Sequence, residues 1–271
     1  MNNSYDASEA MEFFRSFGKP HEIEKGTKIF AESEKGIPLL LMPNRMYLLL
    51  EGEVSVLVND KLIATVQQGE IFGEMAAINQ APRSAAAVAK TPCRVIALSD
   101  KQFHTALGKK PEFALKLMGV MVGRLRETIG RLNGFPMDAE WREATVLDKD
   151  LLAEIGRQLG TAARFRFGKG KIIMREGHLG VALYVVLEGR IAIHIGGTLV
   201  EKAGPGSVIG EMGLVDRKPR LATATAETDC TLLAVSRLDF LGLVKKNPRF
   251  GVSLLNAVSE RARSMAERCK P

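Results

Sequence analysis

Ile71-Phe72-Gly73-Glu74-Met75-Ala76-Ala77-Ile78, followed after a short spacer by Pro82-Arg83-Ser84-Ala85-Ala86, decides how the rest of this chain is read. The same arrangement recurs as Val208-Ile209-Gly210-Glu211-Met212-Gly213-Leu214-Val215 and then Pro219-Arg220-Leu221-Ala222-Thr223. In each, a β-branched or aromatic strand end meets a glycine that lets the backbone approach something closely, and a single helical turn follows with its first amides unpaired. Such a turn attracts an anion. A few residues later proline fixes a turn and presents an arginine, whose planar fork suits phosphate oxygens, beside small residues that leave room. The glutamate in the helical turn would repel a phosphate, so it is read as accepting from a hydroxyl or as holding the arginine. A ligand with one phosphate and a nearby sugar hydroxyl meets both demands.

Working outward, the chain aligns with itself without gaps at an offset of 137 positions from Met46–Asn133 to Leu183–Lys270, with more than a quarter of the positions identical. The matches include Leu50-Glu51-Gly52 with Leu187-Glu188-Gly189, Gly69 with Gly206 and Arg124 with Arg261. Two copies are too few for a solenoid, so this is one domain duplicated in tandem. Within copy one, Thr27–Ala31, Met46–Leu50, Glu53–Val58, Leu62–Val66, Ala85–Ala89 and Arg94–Leu98 read as short strands, about seven per copy, the pattern of a sandwich or jelly roll. Asn59-Asp60 and Gly196-Gly197 occupy tight hairpin turns. Ser99 starts a short helix, and Pro111 opens a longer one with helically spaced Phe113, Leu117, Met121 and Leu125, ended by Gly134-Phe135-Pro136. A second helical stretch, Lys149–Leu159, leads into copy two. The expected organisation is therefore mainly β with α: residues 1–134 as the first domain with an N-terminal helical segment, 135–148 as a linker, and 149–271 as the second domain with a helical lead-in. Copy one also carries a seven-residue apolar insertion, Ile37–Pro43, read as a loop on its own domain or a contact for a partner.

Composition narrows the function. Across 271 residues, 46% hydrophobic and 25% charged is ordinary globular usage, and the net charge of +7 is spread over both halves with no like-charged block, so general nucleic-acid or membrane adhesion is weakly supported. Cys93, Cys230 and Cys269 form no disulfide framework or zinc pair, which fits a reducing cytoplasm. No apolar run approaches the roughly 20 residues needed to span a bilayer. The four scattered histidines make no metal site, and neither a nucleophile–base pair nor a Walker loop is present, so no catalysis and no cofactor are expected. Neither a helix-turn-helix after copy two nor a basic pseudosubstrate before copy one is expected.

The combination F-G-E-M-A, spacer, P-R-S-A resembles the phosphate-binding cassette of cyclic-nucleotide-binding domains, as in the catabolite activator protein and the regulatory subunits of cyclic-AMP-dependent protein kinase. The resemblance extends over about Lys19–Gly134 and Thr161–Lys270 and implies two β-roll (jelly-roll) domains, each flanked by helices. It implies ligand contacts from Phe72, Gly73, Glu74, Met75, Ala76, Arg83, Ser84, Ala85 and Thr128, and in copy two from Ile209, Gly210, Glu211, Met212, Gly213, Arg220, Leu221 and Ala222. Glu74 would bind the ribose 2′-hydroxyl, Arg83 the cyclic phosphate with Ser84 and the amides of Glu74–Ala76, and Thr128 the adenine. Copy two departs by placing Leu221 at the Ser84 position and Met265 at the Thr128 position, so binding there is expected to be weaker or differently selective. The implied function is a non-enzymatic intracellular receptor for cyclic AMP, with cyclic GMP as the nearest alternative, relaying occupancy to an effector protein through its closing helices. The apolar stripe of the 111–132 helix also suits a homodimer interface. A cyclic-dinucleotide receptor, and a scaffold with a vestigial second site, compete with this reading.

Overall fold

The computed structural model describes residues 7–33, 44–79, 82–131, 142–144 and 146–268. They form two compact units, one running to Phe113 and the other starting at Ala114. The apolar insertion at 37–43 and the helix break at 134–136 lie outside the described residues.

The first unit opens with α1 (Ala7–Phe17), followed by β1 (Lys19–Ile23), β2 (Lys28–Phe30), β3 (Arg45–Glu51), β4 (Val54–Val58), β5 (Lys61–Val66) and β6 (Ile71–Phe72). The short α2 (Glu74–Asn79), β7 (Ala86–Ala89), β8 (Cys93–Ser99) and α3 (Asp100–Lys109) complete it. Two antiparallel sheets, β1-β8-β3-β6 and β2-β7-β4-β5, enclose Leu49, Val54, Val66, Phe72, Ala87 and Val95. Apart from the β4–β5 hairpin, the paired strands are non-consecutive, which is the jelly-roll connection. Asn59 and Asp60 both take positive φ, 48° and 59°, the type I′ geometry that matches the twist of β4 and β5. Ser99 caps α3 reciprocally with Gln102, and α1 is anchored by Phe13 stacked on Phe113 at 3.6 Å.

The second unit contains almost all of α4 (Glu112–Arg131), then β9 (Arg142–Glu143), α5 (Lys149–Leu159), β10 (Arg164–Phe167), β11 (Ile172–Met174), β12 (Ala182–Glu188) and β13 (Ile191–Ile195). It continues through β14 (Thr198–Ala203), β15 (Val208–Ile209), α6 (Glu211–Asp216), β16 (Thr223–Ala226), β17 (Cys230–Ser236), α7 (Arg237–Lys246) and α8 (Pro248–Arg268). Its sheets, β10-β17-β12-β15 and β11-β16-β13-β14-β9, repeat the first unit's order with β9 added in parallel at one edge. The repeat reaches the register: Tyr47 faces Phe72 and Ala97, Tyr184 faces Ile209 and Ala234, and the same irregularity falls at Leu49/Glu51 and at Val186/Glu188. β9 comes from the stretch expected to be a linker. β1, absent from the strands read in sequence, is Lys-Pro-His-Glu-Ile, an exposed edge strand whose Pro20 an edge tolerates and whose polar residues show no alternation.

Gly52 and Gly189 follow β3 and β12 at the same place in each copy, both at φ +90°. A Cβ on Gly189 would lie 2.3 Å from the Asp229 carbonyl oxygen and 2.6 Å from Cys230 Sγ. Gly170 shares the left-handed conformation, at φ +79°, but has open space around it. Gly189→Ala is therefore expected to lose about 2–3 kcal/mol of stability, combining strain and clash, and Gly170→Ala only about 1 kcal/mol, as read by urea unfolding.

Candidate functional site

The first site is built on the end of β6. Gly73 turns the chain at φ +69°, and its carbonyl accepts from Arg83 Nη1 at 2.7 Å while the Arg45 carbonyl on β3 accepts from Nη2 at 2.9 Å. The guanidinium carbon sits 4.1 Å from the centroid of the Phe30 ring, whose π face favours a cation. A Cβ on residue 73 would come within 2.9 Å of Arg83 Nη1, so glycine is required by space as well as by φ. Glu74, in the first turn of α2, and Arg83 are both buried. Ala76 and Ala85 are buried, Met75 is half-buried and Ser84 is exposed beside the arginine. Phe72 faces the core, stacked on Tyr47 at 5.1 Å, and acts on the cassette by fixing β6. Thr128 lies on α4, with its side chain outside the described residues.

The second site repeats the bracket. Arg220 donates from Nη1 to the Gly210 carbonyl at 2.5 Å and from Nη2 to the Ala182 carbonyl at 2.7 Å. Backbone hydrogen bonds join Arg220 to His178 and Gly177, which lays the loop before β12 against the guanidinium. Gly180 in that loop is so close that a Cβ would fall 2.2 Å from Arg220 Nη2. Burial pushes Arg220 below the ordinary arginine range, opposed by Tyr184 and Glu211, and it remains a cation at neutral pH. Its partners among the described residues are backbone carbonyls, with no carboxylate in ion-pair contact.

Glu211 is engaged elsewhere. Arg261 on α8 places Nη1 2.7 Å from Glu211 Oε1, and donates from Nε and Nη2 to both oxygens of Glu201 at 3.0 and 2.7 Å. The Arg261–Glu211 contact is an ion pair whose approach is poorly aligned for hydrogen bonding, so buried Oε1 has no hydrogen-bond donor. Burial alone would lower the Arg261 pKa, but the charges of Glu201 and Glu211 outweigh it and hold the pKa above its ordinary value. Between these groups lies a cavity of about 80 Å³, lined by Leu125, Ile209, Gly210, Glu211, Met212, Gly213, Arg220, Leu221, Ala222 and Arg261 among others.

The structure thus brings together glycine, glutamate, arginine and the small residues of each cassette at the places their spacing implies. Sequence reasoning paired Arg124 with Arg261 as a repeat identity but gave neither a role, and it missed Glu201, Gly180 and the Phe30–Met174 exchange beneath the arginines. A charged residue kept in both copies on the apolar closing helix was the available signal for Arg261. No metal-binding cluster occurs among the described residues.

Arg261→Met leaves Glu201 and Glu211 buried without a cation, so it is expected to cost about 3 kcal/mol of stability near pH 7.5. The wild-type contribution of Arg261 persists at neutral and mildly alkaline pH, because a raised arginine pKa is lost only in strong alkali. Thermal unfolding of both proteins at pH 7.5 tests this.

Comparison with known proteins bears on the whole chain. The family profile described as cyclic nucleotide-binding domain matches residues 20–110 and again 164–247. A cGMP-dependent protein kinase of Toxoplasma gondii is 29% identical over 232 residues, covering 84% of this chain but 20% of the kinase. A cyclic AMP receptor protein of Thermus thermophilus is 36% identical over 115 residues, 41% of this chain and 53% of the receptor. This chain thus spans only part of the length of either relative. Among solved structures, the regulatory domain of Toxoplasma gondii protein kinase A with cAMP covers 91% of each chain at 21% identity, with a TM-score of 0.33. Both halves carry the profile, the sheets and the arginine bracket, and the chain belongs to the cyclic nucleotide-binding domain family, of which it holds two domains in tandem.

Proposed function

We propose that this chain is a non-enzymatic receptor for a cyclic mononucleotide, with cyclic AMP as first ligand and cyclic GMP as its competitor, and that occupancy is relayed to an effector protein by the closing helices. The observation that carries the reading is Arg220: a buried guanidinium held by two carbonyls and no carboxylate, at the N-terminal side of a short helix. A charge removed from water without a counterion is unfavourable, and a phosphate supplies the missing charge in a geometry that the fork matches. Arg83 repeats the carbonyl bracket in the first copy, with Ser84 exposed beside it. Glu74 and Glu211, buried in the first turns of α2 and α6, suit the ribose hydroxyl. The buried, free Cys93 and Cys230 fit a reducing cytoplasm, and no helix among the described residues is long and apolar enough to cross a membrane.

A second reading, in which only the first copy binds, is favoured by Leu221 in place of Ser84 and by the small volume at the second cassette. Calorimetric titration of cyclic AMP, cyclic GMP and cyclic di-GMP separates the readings. The expected outcome is a tight cyclic-mononucleotide site abolished by Arg83→Ala and a weaker one abolished by Arg220→Ala. Loss of a charged hydrogen-bonding partner of this kind costs about 2–3 kcal/mol, roughly 30- to 150-fold in affinity. Absence of heat with cyclic AMP and cyclic GMP at millimolar ligand would rule the receptor reading out, and preference for cyclic di-GMP would replace it.

A further inference from the structure

The second site is walled in part by the long helix that ends the first copy in sequence. From Ala114 onward α4 belongs to the second unit. Arg126 donates from Nε to Asp216 Oδ2 at 2.5 Å and from Nη2 to Oδ1 at 3.2 Å and to the Pro219 carbonyl at 3.1 Å. Asp216 ends α6, the cassette helix, and Pro219 precedes Arg220. Both side chains are largely buried, 15% and 10% exposed, so the pair is shielded from solvent rather than a loose surface contact. The residue before it, Leu125, lines the cavity with Glu211 and Arg220, and about two turns earlier a Cβ on Gly119 would lie 3.4 Å from Val215 Cγ1 on α6. The contact is particular to copy two, since the position of Asp216 is Asn79 in copy one, which cannot pair ionically.

The cavity that Leu125 helps close holds about 80 Å³, well below the roughly 300 Å³ at which ligand pockets begin. We infer that α4 is a gate on the second site, latched by Arg126–Asp216, and that a nucleotide enters there only when α4 moves off the cassette. Two features support release by ligand rather than by chance opening. The latch ends on the segment that presents Arg220, so a phosphate drawing Arg220 inward pulls on the same turn that holds Arg126. Leu125 occupies space beside Glu211, the group that a ribose hydroxyl would reach. Binding at the second site then carries the work of unlatching α4, and its apparent affinity is reduced by the fraction of molecules in which the gate is shut. This inference rests on the receptor reading above.

The test uses full-length protein in an Arg83→Ala background, so that only the second site reports, titrated with cyclic AMP and cyclic GMP by calorimetry. Arg126→Gln is expected to tighten binding by about fivefold or more, Asp216→Asn to do the same, and the double substitution to go no further than either alone, because both break one contact. Leu125→Ala, which leaves the latch intact and opens the wall, is expected to act in the same direction. A change smaller than twofold across these variants, or weaker binding, overturns the gate. Gly119→Cys with Val215→Cys, oxidised, should fix α4 on the cassette and abolish second-site binding, restored by dithiothreitol. Failure of the pair to crosslink, or unaltered binding when crosslinked, likewise overturns it. Failure of the receptor reading looks different: no heat with either nucleotide in the wild type or in any variant, an outcome in which the gate falls with it.

Discussion

Both sites depend on a buried arginine whose fork is held by main-chain carbonyls. A carbonyl offers a partial negative charge, enough to orient a guanidinium but too little to neutralise it. Gly73 and Gly210 make this possible: only a left-handed turn without a Cβ points the carbonyl at Nη1 and leaves the guanidinium room. The second carbonyl, from Arg45 or Ala182, comes from the strand that pairs with the one ending in that glycine, so the fork ties two strands of one sheet together. The jelly-roll connections exist at this spot to bring residues far apart in the chain to within one side chain's reach.

From that common bracket the copies have gone separate ways. Beneath Arg83 lies the flat face of Phe30; near Gly210 the corresponding contact is the thioether of Met174, which packs but offers no quadrupole. Copy two adds Glu201 on β14, absent from copy one, and with it a buried network of one arginine and two carboxylates closes α8 over its own cassette. Such a network is specific in geometry and costly to half-dismantle.

Much of this was legible in the residues. Apolar alternation placed β3, β4, β5, β7 and β8 within a residue or two, and turn chemistry placed the Asn59-Asp60 and Gly196-Gly197 hairpins, because both signals are local. Lys149–Leu159 emerged intact as a helix for the same reason, with Asp148 as its cap. Legibility failed where partners are remote. β1 carries no alternation because neither face is deeply buried, and β9 is two residues that become a strand only by lying beside β14. The spacing of glycine, glutamate and arginine revealed the cassette, yet nothing in the spacing shows that Arg261 would lie between Glu201 and Glu211, or that Arg126 would seek Asp216. Charged residues on an amphipathic helix look alike until a neighbouring surface selects among them.

The matching registers of the two copies carry a consequence for how the chain is made. β3 meets β8 with Arg45 opposite Ser99, and β12 meets β17 with Ala182 opposite Ser236, through ladders with the same bulge. To an unfolded chain β17 therefore offers β3 nearly the template that β8 does, and exchanged pairing is a characteristic error of tandem domains. Emergence from the ribosome gives order to the choice: β8 is available to β3 long before β17 exists. Release of the whole chain from denaturant removes that order, leaving side-chain fit along the ladder to select the correct partner.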